Sequence, residues 1–150
     1  MRIIGGTYKR RLISWPDDNS IRPTKDRIRE AMFSSLGDIE DFIVLDFFAG
    51  SGSFGLEALS RGAKISYFVD HGNVAIKTIK SNIESLNINK EEYEIINEDS
   101  YRTLNNFKNI KFNLIFIDPP YKEGKYKEII GTIINNDLLS KNGIIVIETD

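Results

Sequence analysis

The chain has 150 residues, with 22 Asp and Glu against 20 Lys and Arg, one His and no Cys. This length suits one domain with a real core, and the lack of cysteine excludes disulfides, thiolate catalysis and Cys-ligated zinc. A single histidine also argues against a His-based metal site, so no metal is expected. No apolar run approaches the ~18 residues of a membrane span and the start lacks a signal-peptide core, which predicts a cytoplasmic protein without a membrane contact.

The first 30 residues differ in charge from the rest of the chain. They contain eight Lys and Arg but four Asp and Glu, a net charge of +4, so the remainder carries −6. Two short strands, Arg2–Ile4 and Arg11–Ser14, are predicted to form a hairpin around Gly5-Gly6. A basic arm on an acidic body suggests contact with phosphates, although a solvated surface hairpin explains the charge equally well.

Strands and helices then alternate. The first helix is predicted to start after Thr24 as N-cap and to end at Gly37, with an apolar stripe at Ile28, Ala31, Met32 and Leu36. The predicted strands are Ile43–Leu45, Ile65–Val69, Tyr93–Ile96, Asn113–Ile117 and Ile144–Ile147, the last after a turn at Asn142-Gly143. The later helices are predicted up to Gly62 and over 73–86, 100–107 and 125–135.

This alternation of continuous apolar strands with helices predicts an α/β fold. The sheet should be parallel and covered by helices on both faces. Ligands of such a sheet bind at the carboxyl ends of its strands. We expect a single domain, in which residues 1–23 form a basic extension and residues 24–150 form the core.

The first strand runs into a glycine-rich turn. Gly50, Gly52 and Gly55 follow the strand and precede a helix, as in nucleotide-binding βαβ units. The glycines also fit an NAD enzyme. Asp46 favours a different ligand, because a pyrophosphate has little use for a carboxylate at this turn. A cationic ligand such as S-adenosylmethionine, which carries a sulfonium and an ammonium, fits it better.

The next two strands also end in carboxylates. Asp70 lies twenty residues after Gly50, where a carboxylate binds ribose hydroxyls in either NAD or S-adenosylmethionine. His71 follows it and is a candidate cofactor residue, although a surface-loop histidine is the simpler interpretation. Asp99 with Ser100 is a candidate for an adenine amino group, whereas an isolated Asp is more often a turn former.

The fourth strand ends in Asp118-Pro119-Pro120-Tyr121. The prolines remove two N–H donors and stiffen the backbone. Their carbonyls and the Asp118 carboxylate are acceptors suited to an –NH₂ group, and Tyr121 offers a face on which a base can stack. A strand that simply ends in a Pro-Pro turn is the alternative.

These motifs together resemble a known family. DFFAGSGSFGLEALSRGA, NEDS and LIFIDPPY resemble a class I S-adenosylmethionine-dependent methyltransferase that acts on an exocyclic amine. MRIIGGTYKRR and IRPTKDRIREAMFSSL narrow the resemblance to the bacterial small-subunit ribosomal RNA guanine-N2 methyltransferases of the RsmD type. The resemblance spans the chain. It implies a Rossmann-like class I methyltransferase fold, S-adenosylmethionine as cofactor, and ribosomal RNA or the small ribosomal subunit as partner; a monomer is expected.

The resemblance also implies residue roles. The predicted cofactor residues are Asp46, Phe48, Ala49, Gly50, Ser51, Gly52, Gly55, Asp70, His71, Asp99 and Ser100. The predicted catalytic residues, which hold the target guanine, are Asp118, Pro119, Pro120 and Tyr121. The hairpin and the Arg22-Pro23-Thr24 segment face the RNA, with predicted contacts from Lys9, Arg10, Arg11, Arg22, Thr24 and Arg27.

The chain departs from the family pattern in two places. Arg10 stands where the related hairpins carry glycine, which leaves the hairpin register open. The sequence stops at Asp150, after the fifth predicted strand, whereas the family's sheet resembles one with seven strands. We therefore expect the last strands to be missing from this chain, with the fifth strand as an exposed edge.

The predicted reaction is direct methyl transfer to guanine N2, with Asp118 and the Pro119 carbonyl accepting the amine's hydrogens. Adenine N6 and DNA remain alternative targets. More distant alternatives are an NAD-dependent oxidoreductase, which gives Asp46 no role, and a non-catalytic RNA-binding module, which leaves the strand-end carboxylates without one.

Overall fold

A computed structural model describes residues 1–14, 23–118 and 125–148. Its helices are α1 (Pro23–Leu36), α2 (Ser53–Ser60), α3 (Asn73–Leu86), α4 (Ser100–Asn106) and α5 (Lys125–Asn135), and a 3₁₀ turn spans Lys90–Glu92. Its strands are β1 (Ile43–Phe47), β2 (Ile65–Asp70), β3 (Tyr93–Asn97), β4 (Phe112–Ile117) and β5 (Leu139–Ile147). Among the described helices, none has the length and apolar character that crossing a membrane requires.

The five strands form one parallel sheet in the order β3-β2-β1-β4-β5. The chain passes from β1 to β2 and β3 on one side and then crosses to β4 and β5 on the other. The strand order therefore reverses between β1 and β4, and ligands of open α/β sheets bind outside the carboxyl ends at such a reversal. The predicted α/β fold with a parallel sheet is confirmed.

Successive strand residues alternate between two cores, as the two-residue period of a strand requires. Val44 and Phe116 pack under the N-terminal arm, α1, α2 and α3. Leu45 and Ile117 pack under α4 and α5 on the opposite face. Helices thus cover both faces, and they leave the carboxyl ends of β1 and β4 for the site described below.

The first helix differs from its prediction in start and in buried face. It begins at Pro23, so Thr24 lies inside it and is not its N-cap; proline is well tolerated at a first helical position, where its missing N–H has no partner to lose. The predicted stripe was right for Met32 and Leu36, which pack against the core, and wrong for Ile28 and Ala31, which are exposed. Ile28 is 48% exposed, whereas Phe33 and the charged Arg29 are buried. Arg29 is buried because a carboxylate of α2 pairs with it.

All five strands are longer than predicted, β2, β3 and β4 by one residue each and β1 and β5 by more. β1 continues through Asp46 to Phe47, so the carboxylate belongs to the strand itself. β5 begins at Leu139, and Asn142-Gly143 lies within it instead of in a preceding turn. The register against β4 shifts there, because Phe112 pairs with Leu139 and Leu114 with Ile144. A turn-forming pair of residues in mid-strand is typical of such an irregularity.

The predicted hairpin exists, but its turn is wider than Gly5-Gly6. Arg2 and Leu12 form an antiparallel bridge. Ile3 donates its N–H to the Arg11 carbonyl at 3.0 Å and accepts from the Arg10 N–H at 2.8 Å. Arg10 has φ 72°, a left-handed conformation that glycine adopts without cost. This explains why a glycine suits that position.

Candidate active site

The turn after β1 holds three alternate residues in the left-handed region. Phe48, Gly50 and Gly52 have φ 65°, 58° and 80°. A left-handed residue with a side chain costs roughly 1–2 kcal/mol, so Phe48 must be held by its surroundings. Its ring packs edge-on against Phe47 and Tyr101, at centroid distances of 4.6 and 5.9 Å. Backbone strain of this kind clusters at ligand-binding sites.

The three glycines do different things. A Cβ on Gly50 would meet no atom within 4 Å, so this part of the turn faces open space where a ligand can approach the backbone. A Cβ on Gly55 would lie 2.3 Å from Cε1 of Phe68, so Gly55 permits α2 to pack closely on the sheet. Gly52 is the N-cap of α2.

Asp46 is buried under this turn. Its Oδ2 accepts the Gly55 N–H at 2.9 Å, which ties β1 to the start of α2. Burial, the largest cause, and the nearby Asp118 and Asp70 together raise the pKa of Asp46 to about 8, and the Gly55 hydrogen bond opposes this rise. Three carboxyl groups therefore converge at the ends of β1, β2 and β4. A cationic ligand here would favour the ionised form of Asp46.

Asp70, at the end of β2, also holds the glycine-rich turn in place. Its Oδ2 accepts the Gly50 N–H at 2.9 Å, and its Oδ1 accepts the Gly72 N–H at 2.9 Å. An ionised carboxylate offers about four lone-pair sites, so each oxygen can accept a further bond from a ligand hydroxyl. Next to it, His71 is exposed on the loop that leads to α3.

Asp99 and Ser100, which follow β3, have different surroundings. Asp99 is the N-cap of α4, and its Oδ1 accepts the N–H groups of Tyr101 and Arg102 at 2.9 and 3.3 Å. Ser100 is 2% exposed, and its Oγ has no hydrogen-bond partner among the described residues. A buried hydroxyl without a partner is costly. Ser100 therefore fits a polar ligand group better than Asp99 does.

The turn is also braced from α3. Asn82 is buried, and its Nδ2 donates to the carbonyls of Ser51 and Ser14, each at 3.0 Å. Its Oδ1 accepts the Ser14 N–H at 2.6 Å. On the other side, Ala49 donates its N–H to the Val69 carbonyl at 3.0 Å. The Asn82 side chain, which the sequence analysis did not single out, thus joins the end of the N-terminal arm to the glycine-rich turn.

A cavity of about 130 Å³ lies at the carboxyl ends of β4 and β5. Its described lining consists of Ile28, Met32, Phe54, Phe116, Ile117, Asp118, Val146, Ile147 and Glu148. Ile28 is exposed on α1 because it faces this opening. Phe54, in the first turn of α2, places the cavity next to the glycine-rich turn.

Two acidic side chains are the polar members of the described lining, Asp118 and Glu148. Sequence reasoning found Asp118 and missed Glu148. The same signal, a polar residue directly after a predicted strand, was present at Ile147-Glu148. The other predicted catalytic residues, Pro119, Pro120 and Tyr121, lie outside the described residues.

The basic arm is partly structural. Arg29 is buried against Glu57, with its Nε 3.2 Å from Oε1, and its Nη2 donates to the Arg2 carbonyl. It is therefore lost from the basic surface of the first 30 residues. Of the predicted RNA contacts, Lys9, Arg10, Arg11 and Arg27 are exposed, whereas Arg22 and the side chain of Thr24 lie outside the described part. The described residues contain no group of three or more His, Cys, Asp or Glu arranged to hold a metal ion.

A five-stranded parallel sheet of this order, with a glycine-rich turn after its first strand, defines the protein as a Rossmann-like fold of the class I methyltransferase type. The chain belongs to the family described as Conserved hypothetical protein 95, which matches residues 1–150. The RsmD-type family predicted from the sequence is confirmed.

Individual relatives support this family assignment. YlbH of Bacillus subtilis is 40% identical over 100% of this chain and 83% of the relative. Ribosomal RNA small subunit methyltransferase D of Buchnera aphidicola is 39% identical over 99% of this chain and 77% of its own length. The solved structure of yhhF from Escherichia coli has a TM-score of 0.88 and 33% identity, over 100% of this chain and 82% of that one.

A more distant structure is the methyltransferase SMU.776 in complex with SAH. It has a TM-score of 0.73 at 21% identity, over 86% of this chain and 36% of that one. At this identity the likeness shows the shared fold.

Proposed function

We propose that this protein transfers a methyl group from S-adenosylmethionine to the exocyclic N2 of a guanine in small-subunit ribosomal RNA. The observation that carries the proposal is the cavity of about 130 Å³ at the ends of β4 and β5. It combines an apolar wall suited to a flat base with the Asp118 carboxylate, and it adjoins the glycine-rich turn. Relatives named ribosomal RNA small subunit methyltransferase D support the choice of substrate.

The cofactor is S-adenosylmethionine, and the residues at the ends of β1, β2 and β3 fit it. The open side of Gly50 admits its methionine part, Asp70 accepts its ribose hydroxyls, and the buried hydroxyl of Ser100 gains a partner from its adenine. When bound, the cofactor supplies an electrophilic methyl group on a sulfonium.

Asp118 orients and activates the target amine. The N2 lone pair of guanine is delocalised into the ring, so the amine is a poor nucleophile. Hydrogen bonds from the amine to Asp118 and to the Pro119 carbonyl draw the nitrogen towards tetrahedral geometry and free that lone pair. Transfer of the methyl group from sulfur to the nitrogen would leave N2 with a surplus proton, which Asp118 would accept and pass to water. Most of the rate comes from holding these atoms in line.

The N-terminal arm binds the RNA backbone. Lys9, Arg10, Arg11 and Arg27 are exposed, and the hairpin that carries the first three is fastened to α2 and α3. Basic side chains on a fixed support suit phosphate contacts. The target base must leave its stack to enter the cavity.

A methyl-transfer assay tests the proposal. Purified protein and radiolabelled S-adenosylmethionine are incubated with small ribosomal subunits, naked ribosomal RNA and DNA, and the product nucleosides are identified by mass spectrometry. N2-methylguanosine from either RNA substrate is expected. N6-methyladenosine or labelled DNA would move the target to one of the alternatives, and 2′-O-methylribose or 5-methylcytosine would overturn the mechanism.

Two further measurements separate the remaining alternatives. Calorimetry should show binding of S-adenosylhomocysteine and none of NAD; the reverse would indicate an oxidoreductase.

Asp118→Ala should cut turnover by roughly 100-fold or more, as loss of a key polar group in an active site does, while S-adenosylhomocysteine affinity stays unchanged. Equal turnover in wild type and Asp118→Ala would remove Asp118 from the chemistry. RNA binding with no methyl transfer would indicate a non-catalytic module.

A further inference from the structure

We propose that Glu148 reads the Watson–Crick edge of the target base and makes the cavity selective for guanine over bases with an acceptor beside the amine. This inference rests on the proposed function and assigns a substrate-recognition role to a residue outside the strand-end motif of Asp118.

The backbone places Glu148 beside Asp118. Ile117 and Ile147, the last residues of β4 and β5, are register partners, so the residues that follow them are neighbours across the sheet. Glu148 donates its N–H to the Ile117 carbonyl at 2.9 Å, which extends the pairing past the last strand residues. Neighbouring strands lie about 4.8 Å apart. Both side chains line the same cavity.

The two side chains offer the base one kind of hydrogen-bonding group. Ionised carboxylates accept hydrogen bonds and donate none, and each has about four lone-pair sites, which leaves capacity for a ligand beside its protein partners. The rest of the described lining is apolar, with Ile28 and Met32 on α1 and Phe54 on α2. The described part of the cavity therefore presents acceptors at one end and no side-chain donor.

Guanine matches this arrangement. Its edge carries adjacent donors, the N1–H and the N2 amine, so one carboxylate can accept from N2 while the other accepts from N1–H. Adenine carries an acceptor at N1 beside its N6 amine, and cytosine carries one at N3. In either base the ring nitrogen would face a carboxylate oxygen with no hydrogen between the two acceptors. Two buried acceptors that face each other in this way should lower kcat/KM by roughly 10- to 100-fold.

The test changes the hydrogen-bonding character of N1 on the base and of the Glu148 side chain on the protein. Once the methylated position has been mapped, RNA substrates are prepared with guanine or 2-aminopurine there. 2-Aminopurine keeps the N2 amine but has an N1 acceptor in place of N1–H and a hydrogen on C6 in place of the O6 carbonyl; comparison of wild type with Glu148→Gln on both substrates isolates the N1 contact. Wild type should methylate the guanine substrate with a kcat/KM roughly 10- to 100-fold higher than the 2-aminopurine substrate.

Glu148→Gln should reduce kcat/KM for guanine and narrow the preference over 2-aminopurine to within a few-fold, because the amide NH₂ can donate to the N1 acceptor. S-adenosylhomocysteine affinity should not change. Glu94→Gln is the matched control, since Glu94 is exposed on β3 at the opposite edge of the sheet. Glu148→Asp keeps the charge, so it should lose rate but retain the guanine preference.

Each outcome decides the inference. An unchanged preference in Glu148→Gln, a wild type that accepts 2-aminopurine as well as guanine, or loss of the preference in Glu148→Asp would overturn the role of Glu148 and leave guanine-N2 methylation standing. Should Glu148→Gln fail to fold, the preference of Glu148→Asp decides alone. Absence of N2-methylguanosine with wild type would instead refute the proposed function itself.

Discussion

Glu57 on α2 and Arg29 on α1 form an ion pair that is closed to solvent, with Oε1 3.2 Å from Nε. The same carboxylate accepts the N–H groups of Ile4 and Gly5 at 2.8 and 2.9 Å and pairs with Arg61 at 2.8 Å. One buried carboxylate thus holds the N-terminal arm and α1 onto α2. The arm and one wall of the cavity depend on this attachment.

Glu57→Ala should therefore destabilise the protein strongly. It leaves the buried Arg29 with Asp26, at 3.1 Å, as its remaining carboxylate partner and leaves two backbone N–H groups without acceptors. Breaking a buried pair in this way costs about 3–5 kcal/mol. Urea unfolding followed by circular dichroism measures the change. Asp137→Asn is the control, because it removes the charge of an exposed ion pair of 2.7 Å with Lys111, and such pairs contribute little. Asn tolerates the φ of 52° at this position as Asp does. Equal effects of the two substitutions would contradict the structural role of Glu57.

Asp46 should make stability depend on pH. Burial raises its pKa from 3.8 to about 8. At a pH between these two values the Asp46 carboxyl is therefore protonated in the folded state and ionised in the unfolded state. The contribution of Asp46 is complete below pH 3.8 and declines as the pH rises to about 8. Relative to Asp46→Asn, wild type should lose up to about 1.4 kcal/mol of unfolding free energy per pH unit in that window.

Urea unfolding of wild type and Asp46→Asn at several pH values across this range checks the slope. The Asn side chain can still accept the Gly55 N–H, so the comparison isolates ionisation. Asp38→Asn, at an exposed position, serves as a control that should keep the wild-type slope. Parallel curves for wild type and Asp46→Asn would refute the raised pKa.

Arg10→Gly should stabilise the hairpin. Arg10 has φ 72°, and relief of a left-handed residue with a side chain gains about 1 kcal/mol after the added flexibility of glycine in the unfolded chain is subtracted. Thermal unfolding measures the gain. Arg10→Ala, which removes the same charge but keeps a Cβ, should show no gain; a gain of equal size would attribute the effect to charge.

The arm should control the salt dependence of RNA binding. Replacing Lys9, Arg10 and Arg11 with Ala removes three exposed cations. Each lost phosphate contact reduces the slope of log K against log salt by about 0.7–0.9. Fluorescence anisotropy with a ribosomal RNA fragment at several salt concentrations measures the slope, and S-adenosylhomocysteine affinity should not change. Lys108→Ala, at an exposed position next to Phe107, which packs on the face of the sheet opposite the arm, should leave the slope unchanged. An unaltered slope in the triple variant would show that the arm is a solvated hairpin that does not contact RNA phosphates.

The sequence by itself determined the features that depend on near neighbours. The alternation of strands and helices, the glycine-rich turn and the bounds of α3 and α5 follow from local apolar periodicity and from residues such as Gly50 and Gly62 that permit a positive φ. Asp46, Asp70 and Asp118 also follow, because parallel strands bring their carboxyl ends together whatever the details of packing.

Tertiary structure alone decided which polar side chains are buried and what they bind. Arg29 and Glu57 are 28 positions apart in the sequence, and Asn82 meets Ser14 across 68. No local pattern distinguishes these residues from solvated ones, since a charged or amide group is stable in the interior only when a distant partner reaches it. The selection of Arg29 over Ile28 for the buried face of α1 has this cause: the carboxylate on α2 compensates the charge, while Ile28 is left to face the cavity.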